Sequence, residues 1–268
     1  MTRTTDDQLE AFFGTFVHAH RALLLLDYDG TLAPFRVDRF KARPWAGVRE
    51  LLNRIQDADG SAIATTIIFI SGRPAAEIVP LIDLEIPAEI WGLHGAERLC
   101  VNGQRELDEA PDGTRAKLDE LRVQLRRDSF GGLLEEKPNA VVMHWRGVSA
   151  HKAQKIAQKT RETFEPLAQL EGLALLEFES GLELRTGRDK GGAVRAILEG
   201  ERDTQSPVAF LGDDVTDEAA FAAVNASERT HLTVLVRQAV RETAAAVWLQ
   251  PPGELKDFLK RWIAACSR

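Results

Sequence analysis

Short apolar runs alternate along the chain with longer stretches in which apolar residues recur every three or four positions. Residues 22–26, 65–70, 208–211 and 231–236 are apolar on nearly every position. That is the pattern of strands buried on both faces, as in a parallel sheet. Between them, 45–55 sets Val48, Leu51, Leu52 and Ile55 on one stripe, and 75–82 follows Pro74, a residue suited to a first helical turn. Residues 191–198 and 217–224 complete the helices, and 255–265 reads as an amphipathic C-terminal helix docked on the core, with Trp248 and Trp262 packed inside. Strands alternating with helices predict an α/β fold with a Rossmann-like parallel sheet.

The middle of the chain breaks this rhythm. Residues 108–128 are highly charged, with Leu118, Leu121 and Leu125 at helical spacing. Residues 140–144 and 181–185 read as antiparallel strands, with an amphipathic helix at 151–167 between them. The block separates the second sheet strand from the third. We expect an inserted, smaller α/β domain at 102–186 within a core domain made of 1–101 and 187–268.

Composition narrows the functional classes. The chain has 268 residues, 44% hydrophobic and 28% charged, which excludes dominant disorder and a small stapled scaffold. With 34 Lys+Arg against 41 Asp+Glu the net charge is −7, which argues against nucleic-acid or anionic-membrane partners. Cys100 and Cys266 are too few for a disulfide framework and fit a reducing compartment. The first ten residues carry Asp6, Asp7 and Glu10 and lack the basic start and apolar stretch of a signal peptide. No apolar run approaches the roughly 20 residues of a membrane span. The expectation is a soluble, cytoplasmic, monomeric protein.

Candidate chemistry gathers where the expected sheet strands stop, the edge at which open parallel sheets bind ligands. Those ends read Asp27-Tyr28-Asp29-Gly30-Thr31, Ser71-Gly72-Arg73 and Gly212-Asp213-Asp214-Val215-Thr216-Asp217. Up to five carboxylates and a hydroxyl thus meet at one edge. So many like charges need a positive offset, and a hard divalent cation with oxygen ligands supplies one. Lys190 adds another. Each piece has a plainer reading alone: Asp-Gly turns for Asp27 and Asp29, a helix cap for Ser71, a capping box for Asp214 and Asp217, a surface charge for Lys190. Their joint arrival at one edge favours chemistry.

These residues also carry a resemblance. Asp-Tyr-Asp-Gly-Thr-Leu at 27–32, Ser-Gly-Arg at 71–73, Lys190, and Gly-Asp-Asp-x-Thr-Asp-Glu at 212–218 resemble the four ordered motifs of the haloacid dehalogenase-like (HAD) hydrolases, in their phosphatase version. The 102–186 insertion resembles that superfamily's α/β cap. Within it, the form of the last motif, Gly92-Leu93-His94-Gly95-Ala96-Glu97, Glu135-Glu136-Lys137 and His144-Trp145-Arg146 are similar to the trehalose-6-phosphate phosphatases. There are departures. Glu136, Pro138, Trp145 and Asp189 stand where that group usually has Asp, Gly, Tyr and Asn.

The resemblance implies Mg²⁺-dependent hydrolysis of a sugar phosphate through an aspartyl-phosphate. Asp27 would be the nucleophile and Asp29 the acid and base. Ser71 and Lys190 would face the phosphoryl charge. Asp27, Asp29 through its backbone, Asp213 and the auxiliary Asp214 would be metal ligands. It further implies substrate contacts from Gly72, Arg73, His94 and Asp217, the last also orienting Lys190, and from Glu135, Lys137, His144, Arg146 and Glu183 in the cap. Glu135-Glu136-Lys137 also reads as a solvated charge run, and His144 as a structural histidine. Other readings stay open: a sucrose-phosphate phosphatase, a phosphomutase, a non-catalytic sugar-phosphate-binding partner or sensor, and a phospho-receiver domain. The retained Asp29 and Lys190 favour an enzyme over the sensor, and the inserted block speaks against the receiver.

Overall fold

The computed structural model describes residues 5–57, 62–127, 133–170, 172–178 and 180–267. It divides into two compact units, Met1–Glu106 with Asp189–Arg268, and Leu107–Arg188.

The first unit is built on a sheet whose central strand, β1 (Arg21–Leu26), is buried at every position after its first. Its side chains alternate between two cores, as a strand covered on both faces requires. Leu24 and Leu26 join a cluster with Leu52, Ile78, Phe258 and Trp262. Leu23 and Leu25 join another with Val194, Phe210 and Phe221. β2 (Ala64–Ile70) lies parallel on one side, followed by β3 (Glu89–Gly92). The short strands β4 (Glu97–Leu99) and β5 (Arg105–Leu107) extend that edge, with β4 antiparallel to β3.

The second unit has its own sheet. β6 (Leu134–Lys137), β7 (Ala140–His144), β8 (Ala174–Phe178) and β9 (Gly181–Arg185) run antiparallel in the order β6-β7-β9-β8. On the other side of β1 in the first unit, β10 (Val208–Gly212), β11 (His231–Val236) and β12 (Val247–Leu249) continue the large sheet in parallel. The architecture is therefore mixed α/β with a largely parallel central sheet, as expected.

Helices α1 (Thr5–Gly14), α2 (Val48–Gln56), α3 (Ala75–Ile82) and α8 (Gly253–Cys266) supply the first cluster. α6 (Lys190–Gly200) and α7 (Glu218–Asn225) supply the second. In the second unit, α4 (Asp112–Arg127) and α5 (Ala150–Phe164) pack Leu118, Leu121, Leu125, Ile156 and Phe164 onto Val141, Met143, Leu182 and Leu184 of one sheet face. Among the described residues no helix is long and apolar enough to cross a membrane.

Several boundaries differ from the sequence reading. Residues 102–106, expected in the insertion, stay with the first unit because β5 pairs beside β4. Arg188 falls in the second unit, where Asp108 accepts its backbone N–H and both ends of its guanidinium fork, each at 3.0 Å. α2 starts three residues after the expected position. Gly47 is left-handed (φ +87°) and the Trp45 N–H donates to the Leu32 carbonyl at 2.9 Å. α5 stops at Phe164, two residues before Pro166, which lacks the N–H a helix needs. α4 begins at Asp112 rather than at residue 108, and the expected end at residue 128 lies outside the described residues. The pattern missed α1 and the short strands β3, β4, β5, β6, β8 and β12.

Trp262 is fully buried among the rings of Phe12, Phe13, Phe16 and Phe258, and its Nε1–H donates to Thr65 Oγ1 at 2.9 Å. It therefore ties α1 and α8 to β2. Trp262→Ala should lower unfolding stability by about 3–5 kcal/mol, read as a lower urea midpoint at unchanged slope.

Candidate active site

Sheet register fixes the first functional side chain. Leu26 lies opposite Leu211 on β10 and Phe69 on β2, and the Asp27 N–H donates to the Leu211 carbonyl at 2.9 Å. Asp27 therefore stands at the carboxyl edge of the sheet, 4% exposed. Its Oδ1 accepts a hydrogen bond from Lys190 Nζ at 2.6 Å and its Oδ2 one from Thr31 Oγ1 at 2.9 Å. Lys190 is the first residue of α6, held there because Asp189 caps the helix, accepting the Gly192 N–H at 2.7 Å. The ammonium also donates to Asp217 Oδ1 at 2.7 Å. Asp217 Oδ2 in turn accepts the N–H groups of Asp213 and Asp214, both at 3.0 Å.

Burial and like charge set the electrostatics. Burial, opposed by Lys190 and reinforced by Asp217 and Asp29, pushes the Asp27 carboxyl up to about 7. Burial and the neighbouring Asp27, Asp217 and Asp214 raise Asp213 well above the ordinary aspartate range. Burial disfavours the charge on Lys190, yet Asp217 and Asp27 outweigh it and hold its pKa above the usual lysine value. The lysine is thus a fixed cation, and the carboxylates around it remain in excess.

That excess fits a hard divalent cation. Oxygen atoms of Asp27, Asp213 and Asp217 lie within 4.8 Å of one another. Asp217 has both oxygens engaged by Lys190 and backbone N–H groups, whereas the Asp213 carboxylate accepts no hydrogen bond from any described residue. Asp213 is accordingly the side chain with free capacity for a metal, and Asp27, whose oxygens accept from Lys190 and Thr31, lies beside it in the same cluster. Gly30 makes this approach possible: at φ +83°, a Cβ there would sit 2.0 Å from Asp213 Oδ2. Asp214 instead accepts the Val215 N–H on Oδ1 at 2.7 Å and closes a capping box with Asp217.

The second strand end brings Ser71, 1% exposed, to the same edge, its N–H donating to the Trp91 carbonyl at 2.8 Å. Gly72 is packed by His94, whose ring atoms would lie 2.6 Å from any Cβ at that position. Leu93 and His94 take left-handed conformations (φ +50° and +59°), and the His94 N–H donates to the Ser71 carbonyl at 2.8 Å. This loop therefore braces the Ser71 turn. Two residues expected against substrate have partners within the protein. Arg73, expected against substrate, is committed to Asp29, with Nε to Oδ2 at 2.5 Å and Nη2 to Oδ1 at 2.6 Å. Asp217, expected among substrate contacts, is fully buried with both oxygens engaged and acts by holding Lys190 and the 213–214 backbone.

In the second unit, strand alternation puts Glu135, Lys137, Val142, His144, Glu183 and Arg185 on the sheet face opposite α4 and α5. His144 Nε2 and Glu135 Oε2 are 2.7 Å apart, and Lys137 Nζ donates to Glu183 Oε2 at 2.9 Å. Arg146 is exposed in the turn after β7. Phe178 packs edge-on to His144, ring centroids 5.6 Å apart.

Other contributors escaped the sequence reading. Glu97, 1% exposed, accepts the Ala75 N–H at 2.7 Å and anchors the start of α3 behind Arg73. Arg241 donates to the Asp214 carbonyl at 2.7 Å, and Glu218 accepts from Thr243 and Ala244, both at 2.8 Å. Glu97, Thr31 and Glu218 all fall inside quoted motif segments, which was the available signal. Arg241 is isolated in sequence and gave none.

Comparison with known proteins agrees with this fold, which is that of haloacid dehalogenase-like hydrolases. A solved haloacid dehalogenase-like hydrolase from Bacteroides thetaiotaomicron superposes with TM-score 0.63 at 17% identity, covering 90% of this chain and 99% of that one. More narrowly, the chain belongs to the trehalose-phosphatase family, whose model matches residues 25–250. It is 30% identical over 205 residues to the trehalose-6-phosphate phosphatase of Escherichia coli, covering 74% of this chain and 72% of that protein. The C-terminal domain of the Candida albicans trehalose-6-phosphate phosphatase shares the fold with TM-score 0.76 at 20% identity, covering 96% of each chain. The chain spans about three fifths of the length of the mycobacterial relatives it matches, 58% to 63%.

The raised Asp27 predicts a pH-dependent metal effect. A carboxyl lifted from 3.8 to about 7 favours the metal-free folded state below about pH 4, and this contribution is lost as the pH rises through 7. A cation competing with that proton should therefore stabilise little at pH 5 and more at pH 8. Thermal unfolding with and without millimolar Mg²⁺ measures both shifts; equal shifts would contradict the assignment.

Proposed function

We propose that the chain hydrolyses trehalose 6-phosphate to trehalose and phosphate in a Mg²⁺-dependent reaction through an aspartyl-phosphate. The observation that carries this reading is the buried Asp27 carboxylate, gripped by Lys190 beside Asp213. Membership of the trehalose-phosphatase family supports the choice of substrate. An Asp27 oxygen attacks phosphorus as the bond from phosphorus to the sugar oxygen breaks. Asp29, two residues beyond the nucleophile, gives that oxygen its proton. Asp29 then takes a proton from the water that attacks the phosphoenzyme, the Asp27–phosphorus bond breaks, and phosphate leaves.

Charge stabilisation carries most of such a reaction. Lys190 faces the phosphoryl oxygens from its seat between Asp27 and Asp217, and the Ser71 hydroxyl donates to one of them. Asp27, Asp213 and the Asp29 carbonyl hold Mg²⁺, with Asp214 as an auxiliary carboxylate. When bound, the ion supplies positive charge that draws electron density from the phosphoryl oxygens and offsets the carboxylates.

The polar face of the second unit's sheet is the proposed reader of the sugar, with Glu135, Lys137, His144, Arg146 and Glu183 addressing hydroxyls. The paired arrangement of Glu135 with His144 and Lys137 with Glu183 supports this, because each carboxylate is pre-oriented by its partner. Two thiols, both free, fit a cytoplasmic setting.

Phosphate release from a panel of sugar phosphates, with and without Mg²⁺, should show strong preference for trehalose 6-phosphate and loss of turnover on chelation. Asp27→Asn should reduce turnover by on the order of a thousandfold or more while leaving the thermal transition in place. For the sugar contacts, Glu135→Gln and Arg146→Ala should each cut kcat/KM for trehalose 6-phosphate roughly tenfold or more. Unchanged kinetics in both would remove the sheet face and the turn after β7 from sugar recognition.

A further inference from the structure

The Ser-Gly-Arg turn delivers two side chains to the sheet edge, and only the serine is accounted for by phosphate binding. Arg73 follows the end of β2, and its guanidinium meets the Asp29 carboxylate side-on. Nε donates to Oδ2 at 2.5 Å and Nη2 to Oδ1 at 2.6 Å, a bidentate fork. The remaining nitrogen, Nη1, donates to the Arg39 carbonyl at 2.8 Å and stands 3.7 Å from Glu77 Oε2. The guanidinium carbon lies 5.8 Å from the centroid of the Tyr28 ring. Glu77 is itself paired with Arg39, whose Nε donates to Oε2 at 3.1 Å. Glu97, capping α3, fixes the turn from which Arg73 projects.

Each of the three guanidinium nitrogens of Arg73 therefore donates within the protein, and Nε and Nη2 both go to Asp29. The Arg73 side chain is 9% exposed, against 24% for Asp29. An arginine committed this way does not offer its Nε–Nη2 fork to a phosphate. Its acceptor is the one carboxylate the proposed reaction needs in two proton transfers. We propose that Arg73 is a positioning residue: it sets the orientation of the Asp29 carboxyl toward the leaving oxygen, with Glu77 and Arg39 holding it from behind. This rests on the proposed role of Asp29 as acid and base. It assigns to the arginine of this motif a task in proton transfer rather than in phosphate binding.

The two roles differ in how they depend on the leaving group. Expulsion of a sugar alkoxide needs a proton, whereas 4-nitrophenolate leaves with little help. kcat/KM covers the steps through the first bond cleavage, so it isolates proton donation from phosphoenzyme hydrolysis. The experiment compares kcat/KM for 4-nitrophenyl phosphate with that for the sugar phosphate the wild type turns over best. The variants are Arg73→Lys, Glu77→Gln and Asp29→Asn, each checked for folding by thermal unfolding.

Arg73→Lys should lose roughly 30- to 100-fold on the sugar phosphate and about threefold on the aryl ester, since general acid catalysis contributes about 100-fold or more. Glu77→Gln should show the same bias at a few-fold, and it decides the matter if Arg73→Lys does not fold. Equal losses on both substrates in these variants would mean that Arg73 grips phosphate, and would overturn the proposal. If Asp29→Asn shows the bias and the Arg73 and Glu77 variants do not, the inference fails while the acid assignment stands. If Asp29→Asn shows none, the acid assignment fails and takes the inference with it.

Discussion

The ammonium of Lys190 between the carboxylates of Asp27 and Asp217 is the contact on which the site depends. Three ionisable groups have been taken out of water, and the charge of each alone would be too costly to bury. Together they are tolerable because the lysine sits at 2.6 Å and 2.7 Å from its two acceptors, and Asp217 has its other oxygen satisfied by backbone N–H groups. The arrangement is still short of positive charge, since Asp213 stands beside it with its carboxyl pushed up. A site built this way is primed for a cation, whose charge offsets the carboxylates that remain in excess there.

What holds these charges in register is apolar. β1 is buried on both faces, so it cannot slide by one residue without turning Leu23 and Leu25 into the wrong core. That constraint places Asp27 where the strand runs out of hydrophobic neighbours. Around it, loops from β2, β3 and β10 are braced by side chains set against the backbone. His94 lies over Gly72, Glu97 caps α3, and Arg241 holds the Asp214 carbonyl. The charged groups at this edge are a thin layer on a framework of such braces.

Much of this was legible in the residue pattern. The four long parallel strands announced themselves because runs such as 22–26 are apolar on every position, which only a doubly covered strand requires. Asp27, Ser71, Lys190 and Asp213 were legible because each follows such a run or opens a helix. The edge strands were not. β4, β5 and β12 have three residues each, too short for an alternation to register. α1 was hidden because its polar start, with Asp6 and Asp7, masked the stripe of Leu9, Phe12 and Phe13. Helix starts were misjudged where a left-handed glycine, as at Gly47, delays the first turn.

The sequence by itself determined the fold class, the edge at which the chemistry collects and the identity of the charged groups there. Hydrophobic period and strand ends are local properties, and local order along the chain encodes them. Only the tertiary structure decided who partners whom. Arg73 and Asp29 are 44 positions apart, and Lys190 and Asp27 163. No local pattern distinguishes an arginine that meets substrate from one that clamps a neighbouring carboxylate. That distinction comes from the distances across strand ends once the two cores have closed on either side of β1.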